Sequence, residues 1–124
     1  CASFPYADSR LRLESVGNAI DMAELVAANM LGAALDYTPK PWFWSDQFDA
    51  KLQIAGLSAG YDEVIARDGE GQSFWYFRNG QLIAVDAISD ARAYMIGKRL
   101  IEGGKPVTPA QVADPETNLK ALLT

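Results

Sequence analysis

Two tryptophans two residues apart, in Pro41-Trp42-Phe43-Trp44-Ser45-Asp46-Gln47, are the side chains of this sequence best suited to hold a planar ligand. In an extended segment alternate side chains share a face, so Trp42 and Trp44 point one way and Phe43 the other. Such rings either join the core or offer a flat apolar wall to an aromatic cofactor. A second candidate is the helix start Glu14-Ser15-Val16. The first N–H groups of a helix lack intrahelical partners and carry partial positive charge, which suits an electron-rich oxygen. Taken singly, a core aromatic cluster and an ordinary capped helix are the simpler readings of the two segments.

Most other chemistry is excluded. The chain has no histidine, hence no Ser-His-Asp triad, no Cys-His pair and no histidine-bound metal. Its single cysteine is Cys1, so no intrachain disulfide can form, and a reducing, cytoplasmic setting is expected. Gly69-Glu70-Gly71 matches only a fragment of a phosphate-binding loop and falls between two expected strands, where glycines make turns. Asp46, Asp49, Asp62, Glu63, Asp68, Glu70, Asp86 and Asp90 are scattered, and nothing in their spacing sets two of them face to face. No catalytic side chain and no metal ligand is therefore assigned. Phe74-Trp75-Tyr76-Phe77 has few basic neighbours and reads as cross-strand packing in place of a base-stacking platform. A net charge of −5 argues against nucleic acid, and no apolar run reaches the length of a membrane-spanning helix.

The elements that must position these residues follow from periodicity. Residues 1–13 show none and read as a loop. From Ser15, apolar Val16, Ala19, Ile20, Ala23, Ala27, Met30 and Leu31 recur at three- and four-residue spacing, which predicts a helix stopped at Gly32. Residues 33–40 form a connector containing Pro39. Alternation then predicts strands over 51–57, 61–67, 73–78 and 82–87, the last two joined by Asn79-Gly80, a two-residue hairpin signal. Ser89-Asp90 caps a helix to about Glu102, ended by Gly103-Gly104. Thr108-Pro109-Ala110-Gln111 is a capping box with proline at the first helical position, and a last helix runs over 115–123. The expected fold is α+β: one N-terminal helix, then a meander of three to five antiparallel strands with C-terminal helices on one face.

Taken together, Arg12-Leu13-Glu14-Ser15-Val16-Gly17-Asn18-Ala19, Pro41 to Gln47, Leu52-Gln53-Ile54-Ala55-Gly56-Leu57 and Tyr76 to Asp86 resemble, in order and spacing, one family. It is the C-terminal part of the flavin-dependent ferredoxin reductases that feed electrons to bacterial oxygenases. These are the putidaredoxin and rhodocoxin reductase type, distantly similar to apoptosis-inducing factor. The resemblance implies that residues 1–36 are the tail of an FAD-binding domain and 37–124 a C-terminal α+β domain. Both glycine fingerprints, for FAD and for NAD(P)H, would lie upstream, so the 124 residues alone are expected to be inactive. Cys1 would then follow the end of the FAD motif; a lipidated N-terminal cysteine is the other reading of its place.

The resemblance also implies site residues. Glu14 and Ser15 would flank the flavin pyrimidine edge, and the Val16 N–H would reach the flavin O2. Trp44, with Trp42 nearby, would line the flavin face that looks toward the ferredoxin. Arg92 and Arg99 read as a solvated helix surface before they read as a basic docking face. The implied partners are the remainder of the reductase and an iron–sulfur ferredoxin, with a homodimer of the isolated piece as a way to hide exposed surface. The alternative is a stand-alone interaction module of the same fold, anchored by Trp42 and Trp44. A flavin role predicts an exposed aromatic surface and a helix over 15–31 that packs poorly onto the sheet domain, whereas a module predicts that helix docked onto a self-contained core.

Overall fold

The computed structural model describes residues 2–124; Cys1, on which the lipidation and fragment readings turn, lies outside the described residues. The chain divides into two compact units, one running to Phe43 and the other spanning Trp44–Thr124.

In the first unit, β1 (Phe4–Tyr6) and β2 (Ser9–Leu11) form an antiparallel hairpin where a loop was expected. Three-residue strands are too short to show alternation. The hairpin is instead made by its turn, where Ala7 sits at φ 49°, and by Phe4, which is buried edge-on against Tyr37 at 4.9 Å. Helix α1 (Val16–Met30) follows, with Ser15 in extended conformation at its N-cap and Gly32 in the left-handed region just beyond its C-cap Leu31. Residues 33–40 carry no regular element.

The second unit is built on a five-stranded antiparallel sheet, β3 (Trp42–Gln47), β4 (Ala50–Gly56), β5 (Glu63–Asp68), β6 (Gln72–Arg78) and β7 (Gln81–Ile88), whose first strand begins just before the unit does. The spatial order is β3-β4-β7-β6-β5, which departs from the simple meander that sequence order predicts. The physical reason lies in β7. Its Leu82, Ala84, Val85 and Ala87 are all buried, an almost unbroken apolar run that belongs at a sheet centre. Asn79-Gly80, at φ 51° and 75°, returns β6 directly into β7, and β4 then pairs on the other side of β7. The connection over residues 57–62 carries the chain from β4 to the far edge.

Helix α2 (Ala91–Glu102) covers one sheet face. Asp90 caps it through Oδ1, which accepts from the Ala93 N–H at 2.9 Å, and Ala93, Tyr94, Ile96, Gly97 and Leu100 are buried. A Cβ on Gly97 would stand 2.6 Å from the Val85 side chain, so only glycine lets the helix lie this close to β7. The short α3 (Pro109–Ala113) opens with the expected capping box. The expected last helix shrinks to a 3₁₀ turn, Leu119–Leu123, because Asp114 and Asn118 cap local turns before it.

Arg67 on β5 organises this tail. Its guanidinium donates to the carbonyls of Val112 (2.8 Å), Asp114 (2.6 Å), Pro115 (3.2 Å) and Thr117 (2.9 Å). Four carbonyls on one fork is a charge-assisted clamp, and removing it leaves those that are part-buried without a donor. Arg67→Met is expected to cost about 2 kcal/mol of stability, on the scale of one hydrogen-bonded charge. Urea unfolding followed by far-ultraviolet circular dichroism measures it.

A polar pair sits among the aromatic residues of β6 and β7. The Tyr76 hydroxyl donates to Asp86 Oδ2 at 2.9 Å, and Tyr61 packs edge-on against Tyr76 at 5.2 Å. Burial, and then the hydrogen bond to Asp86, push the Tyr76 phenol up to about 12. A group that holds its proton more tightly when folded stabilises below its unfolded pKa and loses that contribution as pH rises through the folded value. Stability is therefore expected to fall between about pH 10 and about pH 12 through Tyr76. Comparing alkaline melting curves of the unmodified chain and Tyr76→Phe tests this; the variant should show a flatter alkaline limb.

Candidate functional site

The first turn of α1 is the best-defined candidate. Ser15 is extended (φ −127°, ψ 155°) and its Oγ accepts from the Asn18 N–H at 3.2 Å, so the cap expected from the sequence is formed. Val16 occupies the first helical position, and its side chain is 58% exposed. Glu14 projects outward, paired with Arg12 at 2.9 Å, and both side chains are largely solvated. This pair is a surface one and adds little stability. The helix start is therefore ordered and open, with its dipole end unobstructed by a buried carboxylate.

Behind that turn the helix is unusual. Only Gly17 and Asn18 of α1 are buried. Met30 and Leu31 are 83% and 91% exposed, and Ile20 and Val26 lie open as well. The apolar stripe read from the sequence is real, but it faces outward. Leu13, Val16, Ala19, Met22, Ala23 and Val26 line an open apolar groove of about 690 Å³ along it. An apolar stripe left open along several turns marks a surface meant to be covered.

Trp42 is 36% exposed, and its indole lies against the first turn of α1: a Cβ on Gly17 would stand 3.0 Å from the ring's Cε2 and Nε1. Trp42 and Ser15 line the same small cleft, with Tyr37 and Pro41. Trp44 is half-buried and belongs to the second unit. The structure thus brings Glu14, Ser15, Val16 and Trp42 to one end of α1. Arg92 and Arg99 are exposed on α2.

Sequence reasoning missed Asn18 and Tyr37. The Tyr37 hydroxyl donates to Asn18 Oδ1 at 2.6 Å, and Asn18 Nδ2 donates to the Leu13 carbonyl at 2.9 Å. Burial, and then the Asp21 charge, raise the Tyr37 phenol above its ordinary value. The available signal was an amide-bearing residue inside an otherwise small and apolar first turn. Among the described residues no cluster of acidic residues or cysteine is arranged to hold a metal, and no helix is long and apolar enough to cross a membrane.

Comparison with known proteins bears on the family of the chain. Residues 42–123 match the reductase C-terminal family. A ferredoxin–NAD(P)+ reductase from a Sphingomonas species is 43% identical over 98% of the chain, and rhodocoxin reductase from Rhodococcus erythropolis is 38% identical over 97%. The chain spans only 30% and 29% of those relatives. Among solved structures, the ferredoxin reductase of the CYP199A2 system from Rhodopseudomonas palustris superposes with a TM-score of 0.86 at 40% identity, over 94% of the chain and 30% of that protein. The reductase in a covalent putidaredoxin reductase–putidaredoxin complex superposes with a TM-score of 0.88 at 34% identity, over 99% of the chain and 31% of its own.

Proposed function

The chain belongs to the reductase C-terminal family, and on that premise we propose that it is the C-terminal part of an NAD(P)H-dependent flavoprotein that reduces an iron–sulfur ferredoxin serving an oxygenase. The observation that carries this reading is the outward apolar face of α1, behind an open and capped N-terminus, in a chain that matches its relatives over nearly all of its own length but under a third of theirs. On this reading residues 1–36 are the tail of the FAD-binding domain and 37–124 the C-terminal domain, and the protein works in the cytoplasm.

An uncovered helix N-terminus with the Trp42 ring beside it suits the flat, electron-rich edge of an isoalloxazine. Bound FAD supplies two-electron acceptance from the nicotinamide and one-electron delivery to the iron–sulfur partner. The chain's own part is electrostatic and steric. The Val16 N–H, at the positive end of the α1 dipole, would stabilise negative charge at the pyrimidine edge of a flavin held there. Ser15 fixes that end through its cap, and Glu14 flanks it with its charge turned to Arg12. Trp44, on the second unit, would supply an apolar surface that excludes water on the side facing the ferredoxin. The remainder of the reductase covers the α1 groove. A homodimer of the isolated piece would hide the same residues.

The reading is tested by the intact mass and visible spectrum of the protein purified from its natural source. A mass several tens of kilodaltons above 13.5 kDa, with flavin bands and NAD(P)H-dependent reduction of a ferredoxin, supports it. A colourless protein at 13.5 kDa overturns it in favour of a stand-alone binding module.

A further inference from the structure

Asn18 is one of three buried polar side chains among the described residues, 5% exposed, and it sits one turn behind the helix start. Three of its bonds bear on the helix start. Nδ2 donates to the Leu13 carbonyl at 2.9 Å, Oδ1 accepts from the Tyr37 hydroxyl at 2.6 Å, and its backbone N–H donates to Ser15 Oγ at 3.2 Å. Nδ2 also lies 3.2 Å from Met22 Sδ, one turn further along the helix.

These bonds close a loop around the segment that carries the candidate contacts. Leu13 precedes Glu14, Ser15 and Val16; Asn18 follows them. The amide holds the chain where it enters the segment, and the Ser15 hydroxyl holds it where it leaves. Two anchors, one on each side of Glu14-Ser15-Val16, fix the direction of the Ser15–Val16 peptide. Tyr37 fixes the amide in turn, and is itself held edge-on by Phe4 at 4.9 Å. A capped helix needs only the serine hydroxyl for its stability. The second anchor adds direction, and preorganised direction is what a donor aimed at developing charge requires.

We propose that Asn18 is a positioning residue: through the Leu13 carbonyl, with Tyr37 holding its amide, it aims the Val16 N–H and so sets how readily the flavin takes up electrons. This rests on the flavin assignment above. The order of effects follows from the bonds. Asn18→Ala removes the anchor itself, whereas Tyr37→Phe removes only its outer support and leaves the Nδ2–Leu13 bond in place.

The test uses the full-length, flavin-loaded protein with Asn18→Ala, Tyr37→Phe and the conservative Asn18→Gln. Three readouts are taken: flavin occupancy, melting temperature and the flavin midpoint potential from a spectroelectrochemical titration. For Asn18→Ala the expected result is retained flavin with the two-electron equilibrium shifted about tenfold toward the oxidised form, about 30 mV more negative. Tyr37→Phe should move the same way by about threefold, and Asn18→Gln should recover part of the loss. The rate of reduction by NAD(P)H should fall in step with the potential while its KM stays unchanged. A lowered melting temperature with an unaltered potential overturns the proposal and leaves Asn18 a packing residue. If Asn18→Ala does not fold, the potential of Tyr37→Phe decides alone. Failure of the flavin assignment shows earlier and differently, as an unmodified full-length protein without flavin bands.

Discussion

Val16→Pro in the flavin-loaded full-length protein is expected to slow reduction by NAD(P)H about a hundredfold while leaving the fold intact, the loss seen when one preorganised donor to developing negative charge is removed. The substitution is chosen for what it spares. Val16 is the first helical residue, where the N–H has no intrahelical acceptor and proline's fixed φ suits the backbone. A proline also restricts the residue before it to extended conformations, and Ser15 is already extended at φ −127°, ψ 155°. Proline is close to valine in size and apolarity, so the groove that Val16 lines keeps its surface. Urea unfolding should therefore shift by no more than about 0.5 kcal/mol. An unchanged reduction rate would mean that the N–H of Val16 touches nothing that gains charge. Val16→Ala, which keeps the N–H, should stay within about threefold of the unmodified protein, on the scale of a surface substitution.

Trp75→Ala should have the largest effect on stability, about 3–5 kcal/mol. Trp75 is fully buried on β6, in a core with Val85, Leu100 and Val112. Its Nε1 donates to Ser73 Oγ at 3.0 Å, and that hydroxyl donates to the Arg67 carbonyl at 3.2 Å. Truncation thus empties the centre of the core and leaves a buried serine oxygen with an acceptor site unfilled. Since a domain's whole stability is about 5–15 kcal/mol, the sheet unit should be substantially unfolded in mild urea. Circular dichroism in a urea series reads this directly; a loss below about 1 kcal/mol would mean the core closes over the gap.

The sequence carried the α+β architecture, four of the five sheet strands and both main helices where the local chemistry was strong. Asn79-Gly80, Ser15, Asp90 and Thr108-Pro109-Ala110-Gln111 each act within a few residues, and each does in the structure what its type dictates. The strand order was not legible by the same route, because pairing is decided between segments far apart in the chain. The clue was present in Leu82 to Ala87, apolar on both faces, but it required asking which strand sits at the centre. The hairpin of Phe4–Tyr6 with Ser9–Leu11 was hidden by its length. The outward direction of the α1 stripe was hidden for another reason. Periodicity reports that a helix has an apolar face, and says nothing of whether the covering surface lies in the same 124 residues. At the candidate site, Ser15 and Val16 were visible as a cap and a first helical residue. Asn18 and Tyr37 were not, since a hydrogen bond nineteen residues apart leaves no pattern in either place.

The boundary between the two compact units falls inside β3, between Phe43 and Trp44. The three tryptophans are thereby shared out as optical probes. Trp42 belongs to the unit that contains α1, and Trp44 and Trp75 to the sheet unit. Trp75 is wholly shielded from water and Trp42 partly solvated, so Trp75 is expected to emit toward the blue end of the indole range and Trp42 further to the red. A chain with Trp42 and Trp44 replaced by phenylalanine, which leaves the core Trp75 in place, would therefore report the melting of the sheet unit by its own emission, with no label attached.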